Sequence, residues 1–177
     1  MPEPVSYLAA LPEIVLAVGA MALLMIEAFG GATENRAERA GWLAILILFA
    51  SGAALLTQGG TERAFNDAFV SDAFARFVKL LVLAGSAATI LLSFDDLRRA
   101  HVDRYEVPVL ILLATVGMMM MVSAGDLLAL YLGIELQSLA LYVLAAVRRD
   151  DVRSSEAGMK YFVLGALSSG MLLYGAS

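Results

Sequence analysis

The sequence predicts an all-α fold, a bundle of about six transmembrane helices, and three observations support that prediction. Of the 177 residues, 60% are hydrophobic and only 16% are charged, whereas a soluble domain is nearer half apolar. The mean hydropathy is +0.80. The charged residues cluster between apolar runs that are about 20 residues long, the length that a helix needs to cross a bilayer. Because lipid offers no partners to backbone polar groups, such runs are expected to be helical.

The composition also limits the partners and cofactors of this chain. No basic patch with interleaved aromatic residues appears, so we expect the lipid bilayer as a partner and no nucleic acid. The sequence contains no cysteine, which excludes disulfides, thiol chemistry and cysteine-held iron–sulfur clusters in these residues. The single histidine, His101, lies in a charged segment and is expected to be solvated. We therefore expect no cofactor and no metal in this chain.

Polar or charged segments separate the predicted helices, and proline and glycine mark several of their ends. Pro12 and Pro108 fall in first turns, where the missing N–H is tolerated, and Gly30-Gly31 is expected to end the first helix. The last apolar run carries no stop signal, so we expect the chain to be truncated within a longer protein. The six predicted helices cover residues 8–29, 42–57, 72–94, 107–122, 126–147 and 156–177.

Five charged side chains in the first and third predicted helices are interpreted as structural. Glu13 and Glu27 lie toward opposite ends of the first helix, and we expect both to reach headgroup level rather than to serve transport. Asp72 and Arg76 are expected to pair at the membrane surface. Lys79 lies about 10 Å further along the helix, and its stem is expected to snorkel to the interface.

The distribution of arginine predicts the orientation. Predicted loops after the first, third and fifth helices hold eight arginines, and the opposite side holds only Arg63. By the positive-inside rule, the N-terminus lies outside the cytoplasm. The eight are Arg36, Arg39, Arg98, Arg99, Arg104, Arg148, Arg149 and Arg153.

The fifth predicted helix carries the strongest functional signal, a carboxylate near its middle. An ionised side chain at the centre of a membrane helix costs about 2.5–3.5 kcal/mol, so Glu135 is a functional candidate. Tyr131, Ser138 and Tyr142 share its helix face, and their hydroxyls are expected to support the carboxyl group. We interpret this polar seam as part of a proton relay. The alternative is a protonated Glu135 that acts as a polar clasp between helices.

Lys160 on the sixth helix is the candidate cation for that relay, and a snorkelling lysine is its alternative. Gly158, Gly165 and Ser169 allow this helix to approach a neighbour closely. The short connection predicts antiparallel packing of the fifth and sixth helices. Lys160 is then nearer to the cytoplasmic end than Glu135, and the sequence leaves open whether they meet directly or through water.

The residues of these two helices resemble a known family. The segments DLLALYLGIELQSLALYVLAA and EAGMKYFVLGALSSGMLLYG are similar to the antiporter-like membrane subunits, of the N type, of bacterial respiratory complex I (NADH:quinone oxidoreductase). VSYLAALPEIVLAVGAMALLMIEAF and SDAFARFVKLLVL extend the resemblance over nearly the whole chain. It implies an antiporter-like fold with two inverted five-helix repeats. Residues 1–106 are then N-terminal helices one to three, and 107–177 begin the first repeat with helices four to six.

The resemblance also implies roles for residues and for the assembly. Glu135 in GIELQSL and Lys160 in GMKYF match positions of the family's proton pathway, whose seventh-helix lysine lies outside this sequence. The implied function is proton translocation coupled to quinone reduction, as an enzyme subunit without a redox centre of its own. The implied assembly uses FMN, iron–sulfur clusters and quinone, includes other membrane-arm subunits and lies in the bacterial inner membrane, with the N-terminus periplasmic. The alternatives are a multisubunit cation/proton antiporter and a membrane scaffold without transport.

Overall fold

The computed structural model describes residues 8–30, 36–99, 104–148 and 150–176, and its fold is the predicted all-α bundle. Four segments are long and apolar enough to cross a membrane, namely Leu11–Phe29, Arg36–Thr57, Ala73–Phe94 and Leu127–Ala145. The helix Glu106–Val122 is apolar but shorter. The elements in chain order are α1 Leu11–Phe29, α2 Arg36–Thr57, β1 Glu62–Ala64, β2 Phe69–Ser71, α3 Ala73–Arg99, α4 Glu106–Val122, α5 Leu127–Ala145 and α6 Val152–Ala176.

Two helices extend beyond the apolar runs from which they were predicted. α2 begins at Arg36 rather than near Trp42, and α3 continues past Phe94 to Arg99. Both extensions consist largely of alanine, arginine, leucine or glutamate, which are strong helix formers, and contain no proline or glycine before Gly41. Charge therefore ends the apolar run without ending the helix. The predicted solvated His101 lies outside the described residues.

A β-hairpin replaces part of the polar loop expected between α2 and α3. Strands β1 and β2 pair antiparallel, and three turn residues, Phe65, Asn66 and Asp67, have φ values of 53°, 59° and 68°. Such values are uncommon for residues other than glycine, asparagine and aspartate. Each strand has three residues, which is too short for the alternation of polar and apolar residues to reveal a strand in the sequence.

The hairpin is anchored on the turn between α4 and α5. The Val70 N–H donates to the carbonyl of Ser123 at 2.8 Å, and the Gly125 N–H donates to the carbonyl of Ala68 at 2.9 Å. A β-bridge also joins Phe69 to Ala124. Backbone hydrogen bonds therefore fix the hairpin at the end of the bundle where α5 begins.

The apolar core lies among α1, α2, α3 and α4, with Leu16, Leu48 and Leu112 among its buried residues. Two polar contacts cross the same core. The Ser51 hydroxyl donates to the Pro12 carbonyl at 3.0 Å and links α2 to α1. The buried Thr115 hydroxyl donates to Ser86 Oγ at 2.7 Å and links α4 to α3. These bonds satisfy hydroxyl groups that an apolar core would otherwise leave unpaired.

Glycines bring α4 and α5 into backbone contact. A Cβ on Gly117 would lie 2.6 Å from the Gln137 nitrogen and 2.8 Å from the Gly133 oxygen. A Cβ on Gly133 would lie 2.9 Å from the Met121 nitrogen. Such distances are shorter than van der Waals contact, so larger residues would push the helices apart. The backbone of Gln137 lies at this contact between the two helices.

We expect Gly117→Ala to destabilise the bundle by about 1–3 kcal/mol, because the added methyl group meets rigid backbone rather than a flexible side chain. Thermal unfolding of the purified protein in detergent measures the effect. Gly85→Ala is the matched control, since a Cβ there has nothing within 4 Å. Equal stability of the two variants would contradict the close approach of α4 and α5.

Candidate functional site

Glu135 lies on α5, whose first turn is fixed by a side-chain cap. The Asp126 carboxylate accepts a hydrogen bond from the Ala129 N–H at 2.6 Å, which satisfies a free donor of the helix start. Two turns further on, Glu135 is half-buried. Its Oε1 is buried and has no hydrogen-bond partner among the described residues. The bundle thus withdraws this carboxyl oxygen from solvent without supplying a donor.

The three hydroxyl residues of the predicted seam are distributed along α5 on both sides of Glu135. Tyr131 and Ser138 are half-buried, and Tyr142 is buried. In the described part of the chain, none of the three donates a hydrogen bond to Glu135. Residues four apart on a helix are surface neighbours, so the shared face places these hydroxyls beside Glu135 although none is hydrogen-bonded to its Oε1.

Tyr142 forms the end of the seam that contacts α6. Its ring meets Tyr161 edge-on, with centroids 4.8 Å apart, and Phe162 at 5.8 Å. A Cβ on Gly165 would overlap the Tyr142 hydroxyl, so glycine is needed at that position for the tyrosine to fit. Tyr142 also lines a cavity of about 630 Å³ between α1, α4, α5 and α6. Polar residues of the cavity wall are Arg104, Glu106, Tyr142 and Ser155.

Lys160 lies on the exposed side of α6. Its ammonium group pairs with Glu156 one turn earlier on the same helix, and 69% of its side chain is exposed. The structure therefore gives Lys160 an acidic partner, but this partner is Glu156 rather than Glu135. The sequence had left that contact open.

The packing of α5 against α6 explains why Glu135 and Lys160 do not meet. Gly158 faces Ala146 and Gly165 faces Tyr142, so the helices run antiparallel, as predicted. In this register Lys160 lies opposite the last turn of α5. Glu135 is about ten residues away along the axis, roughly 15 Å at the rise of an α-helix. That distance exceeds the reach of a lysine side chain.

Glu13 and Lys79 are joined in a buried ion pair that the sequence analysis did not foresee. Lys79 Nζ lies 2.6 Å from Glu13 Oε1, and the side chains are 0% and 6% exposed, respectively. The prediction that Lys79 snorkels to the interface is therefore wrong, as is the expectation that Glu13 reaches headgroup level. Both side chains turn inward because α1 and α3 bury these faces in the bundle, where each charge is the other's partner.

Glu27 forms a second buried ion pair at the other end of α1. Its side chain is fully buried, and its carboxylate accepts hydrogen bonds from Arg39 Nε at 3.1 Å and Nη2 at 2.9 Å. Arg36 Nε lies 3.6 Å from the same carboxylate, and the Arg36 guanidinium stacks over the Tyr105 ring. Glu27 thus pins α1 to α2, and the expectation that it reaches headgroup level is also wrong.

The predicted ion pair of Asp72 with Arg76 does not form either. The Asp72 carboxylate accepts from the Ala75 N–H at 2.7 Å and caps α3, while Arg76 donates to the Gly60 carbonyl. A short polar side chain before a helix prefers the free N–H groups of the first turn.

Among the residues that the structure describes, no group of three or more histidine, cysteine or acidic side chains is arranged to hold a metal ion.

Cysteine cross-linking tests this arrangement in a chain whose 177 residues contain no cysteine. We expect Ala146→Cys with Gly158→Cys to form a disulfide on mild oxidation, after a small shift, because a Cβ at position 158 lies 2.6 Å from that of Ala146. Glu135→Cys with Lys160→Cys is expected to remain reduced. Efficient cross-linking of this second pair would refute the register. Mobility in non-reducing gels distinguishes the outcomes.

Comparison with known proteins yields matches in both sequence and fold. The family described as NADH:quinone oxidoreductase/Mrp antiporter, TM, matches residues 124–177. NADH-quinone oxidoreductase subunit N 1 of Rhizobium meliloti is 54% identical over 167 residues, which cover 94% of this chain and 34% of that protein. Subunit N of Maricaulis maris is 56% identical over 170 residues, with 94% and 35% covered. The chain thus spans about a third of the length of these relatives.

Solved structures share the same arrangement of helices. A chain of respiratory complex I from Thermus thermophilus, solved with bound aureothin, superimposes with a TM-score of 0.73 at 30% identity, covering 93% of this chain and 35% of that one. A chain of the archaeal membrane-bound sulfane sulfur reductase gives 0.75 at 21% identity, with 96% and 36% covered, and shows the likeness of fold alone. In sequence, the chain is thus similar to about a third of subunit N of NADH-quinone oxidoreductase, and in fold it is similar to a chain of respiratory complex I.

Proposed function

We propose that this chain is part of a proton-translocating membrane-arm subunit of bacterial NADH:quinone oxidoreductase. The observation that carries the proposal is Glu135, a carboxyl group on an apolar helix whose buried Oε1 has no donor among the described residues. An acid that merely stabilised the bundle would be held by hydrogen bonds from protein donors, as Glu27 is by Arg39. The identity of over 50% to proteins named subunit N supports the assignment to that enzyme.

In this proposal Glu135 binds and releases the transported proton. In the described residues, none of the hydroxyls of Tyr131, Ser138 and Tyr142 is hydrogen-bonded to Glu135 Oε1, and bridging waters complete the path between these groups. Tyr142 receives the proton from the cavity that Arg104 and Glu106 also line. Each hydroxyl both accepts and donates a hydrogen bond, so the seam carries protons without changing its own charge.

Lys160 serves as a separate station of the path rather than as the direct partner of Glu135. Because Lys160 lies roughly 15 Å from Glu135 along the helix axis, proton transfer between them requires intervening water or groups from the rest of the subunit. Through its charge, a cation at that position favours the deprotonated form of nearby acidic groups. We assign residues 1–106 to N-terminal helices and 107–177 to the beginning of the first of two inverted repeats.

Electron transfer belongs to other subunits of the proposed assembly. FMN, the iron–sulfur clusters and quinone are held there, and the described residues of this chain offer no set of ligands for a cluster. Contacts with the other membrane-arm subunits connect this chain to that chemistry. Its own contribution is to move charge within the apolar bundle.

We expect Glu135→Gln to abolish proton pumping, because glutamine keeps the shape and polarity of the side chain but cannot exchange a proton. Inverted membrane vesicles that contain the assembled enzyme report pumping by quenching of a pH-sensitive dye and quinone reduction by NADH consumption. Because the two processes are coupled, NADH-driven quinone reduction should also fall.

Asp67→Asn provides the matched control for this experiment. It also removes one carboxylate, but from an exposed ion pair with Arg63 on the hairpin turn, where such pairs contribute little. Its vesicles should pump at the original rate. Undiminished pumping by the Glu135→Gln enzyme would rule out the proposed role and favour a structural clasp.

We further propose that the hairpin faces the periplasm and that the connection of α5 to α6 faces the cytoplasm. Arg36 and Arg39 lie at the opposite end of α1 from the hairpin, and Arg104 pairs with Asp150 in the connection to α6. Basic residues concentrate at the cytoplasmic ends of membrane helices. The N-terminal end of α1 is then on the periplasmic side of the inner membrane.

Accessibility of introduced cysteines tests this orientation. In a full-length subunit without other cysteines, Asp67→Cys should react with a membrane-impermeant maleimide in spheroplasts. Arg153→Cys, which is exposed at the start of α6, should react only after lysis. The reverse pattern of labelling would invert the proposed topology.

A further inference from the structure

The Glu13–Lys79 pair lies outside the proposed path through α5. It connects the first turn of α1 to α3 beneath the hairpin, with Lys79 Nζ 2.6 Å from Glu13 Oε1. The ring of Phe69 on β2 covers the ammonium group, with Nζ 4.8 Å from the ring centroid. A carboxylate and an ammonium group are therefore both enclosed at the end of the bundle that carries the hairpin.

The surroundings compensate the two charges unequally. Apart from their mutual ion pair, neither the Glu13 oxygens nor Lys79 Nζ has a hydrogen bond to a protein group in the described part of the chain. The ammonium group retains the Phe69 ring as a second favourable partner. A carboxylate has about four acceptor positions, and here it relies on one cation. Glu13 is thus the less stabilised charge of the pair.

The charged groups on the elements around the pair do not supply a second cation to Glu13. On the hairpin, Arg63 pairs with Asp67; on α3, Arg76 is bound to Gly60. α4 begins with Glu106 at the end far from the hairpin, and residues 107–125 contain no ionisable side chain. The remaining charged or titratable groups on these elements are Glu62 on β1, Asp72 before α3, Asp95, Asp96, Arg98 and Arg99 at the far end of α3, Asp126 before α5, Tyr131, Glu135 and Tyr142 on α5, Glu27 on α1 and Arg36, Glu38 and Arg39 at the far end of α2.

Polar contacts hold β2, the strand that carries Phe69, near the start of α1. Gln58 Nε2 donates to the Leu8 and Ala9 carbonyls at 2.6 and 3.1 Å. The Ser71 hydroxyl donates to Gln58 Oε1 at 3.3 Å and holds β2 against the start of α1. Leu8 is exposed and Gln58 is half-buried, whereas Ala9 and Ser71 are buried, so this set of contacts runs from the protein surface to the strand that carries Phe69.

We propose that Glu13 and Lys79 form a second proton-binding site of this chain, distinct from the path through Glu135. A proton from water binds Oε2 of Glu13 and converts its carboxylate to a carboxyl group. Lys79 keeps its three ammonium protons and its place over Phe69, so the site gains one positive charge and breaks no covalent bond. Proton uptake here removes the buried carboxylate and leaves the better stabilised of the two charges. The site does not depend on the role of Glu135.

Infrared difference spectroscopy of the purified assembled enzyme, with the full-length subunit, tests the proposal because it detects protonated carboxyl groups directly. As the pH is lowered, the unmodified enzyme should gain a carbonyl band that is missing in Glu13→Gln. The control Asp67→Asn, which alters an exposed acid, should retain that band. Identical spectra for the Glu13→Gln and unmodified enzymes would overturn the proposal in favour of a permanent ion pair.

Two further variants keep the test decisive if Glu13→Gln fails to assemble. Glu13→Asp retains a carboxyl group and should move the band rather than remove it. Lys79→Met removes the only cation that contacts Glu13 among the described residues, so the carboxyl band should persist to higher pH, because an unpaired buried carboxylate is costly. A band that neither substitution changes would not belong to Glu13 and would refute the site. Proton pumping is not the readout, so failure here leaves the role of Glu135 untouched.

Discussion

The cost of removing a charge from water governs how the first three helices of this bundle are arranged. α1 carries Glu13 near its start and Glu27 near its end, and both are buried. A buried charge is tolerated only with a partner close by, and each acid has one on a neighbouring helix. Lys79 ties α1 to α3, and Arg39 with Arg36 ties α1 to α2. The two ion pairs fix α1 at both ends, and the apolar residues between them fill the core.

Close backbone contact determines how α4, α5 and α6 pack against one another. Gly117 and Gly133 let α4 and α5 approach, and Gly158 and Gly165 do the same for α6. In lipid there is little hydrophobic gain from bringing two apolar helices together, so small residues that allow dense packing become decisive. This packing positions Tyr142 against α6 and leaves Glu135 without a protein donor for its Oε1 among the described residues. The contrast with Glu27, whose carboxylate accepts two hydrogen bonds from Arg39, is what makes Glu135 the candidate for proton transfer through α5.

Part of what the sequence analysis missed was present in its periodicity. The buried residues of α1 recur at helical spacing, which places both acids on the inward face. Besides Pro12, these residues are Glu13, Leu16, Ala20, Leu23 and Glu27. This helical spacing predicts that both acids are buried in ion pairs. Their position near the helix ends, by contrast, suggests acids at headgroup level. No sequence pattern predicted the hairpin, because its strands are only three residues long. It is held by hydrogen bonds to the α4–α5 turn, which is distant in sequence.

The sequence by itself determined the all-α membrane class, the approximate positions of the helices and the singular place of Glu135. These follow from local properties, namely the length of apolar runs, the cost of a charge in lipid and the spacing of residues on one helix. Only the tertiary structure decided which charges meet: Glu13 with Lys79, Glu27 with Arg39, and Lys160 with Glu156 instead of Glu135. Such partnerships depend on the register and rotation of packed helices, which arise from contacts between residues distant in the chain.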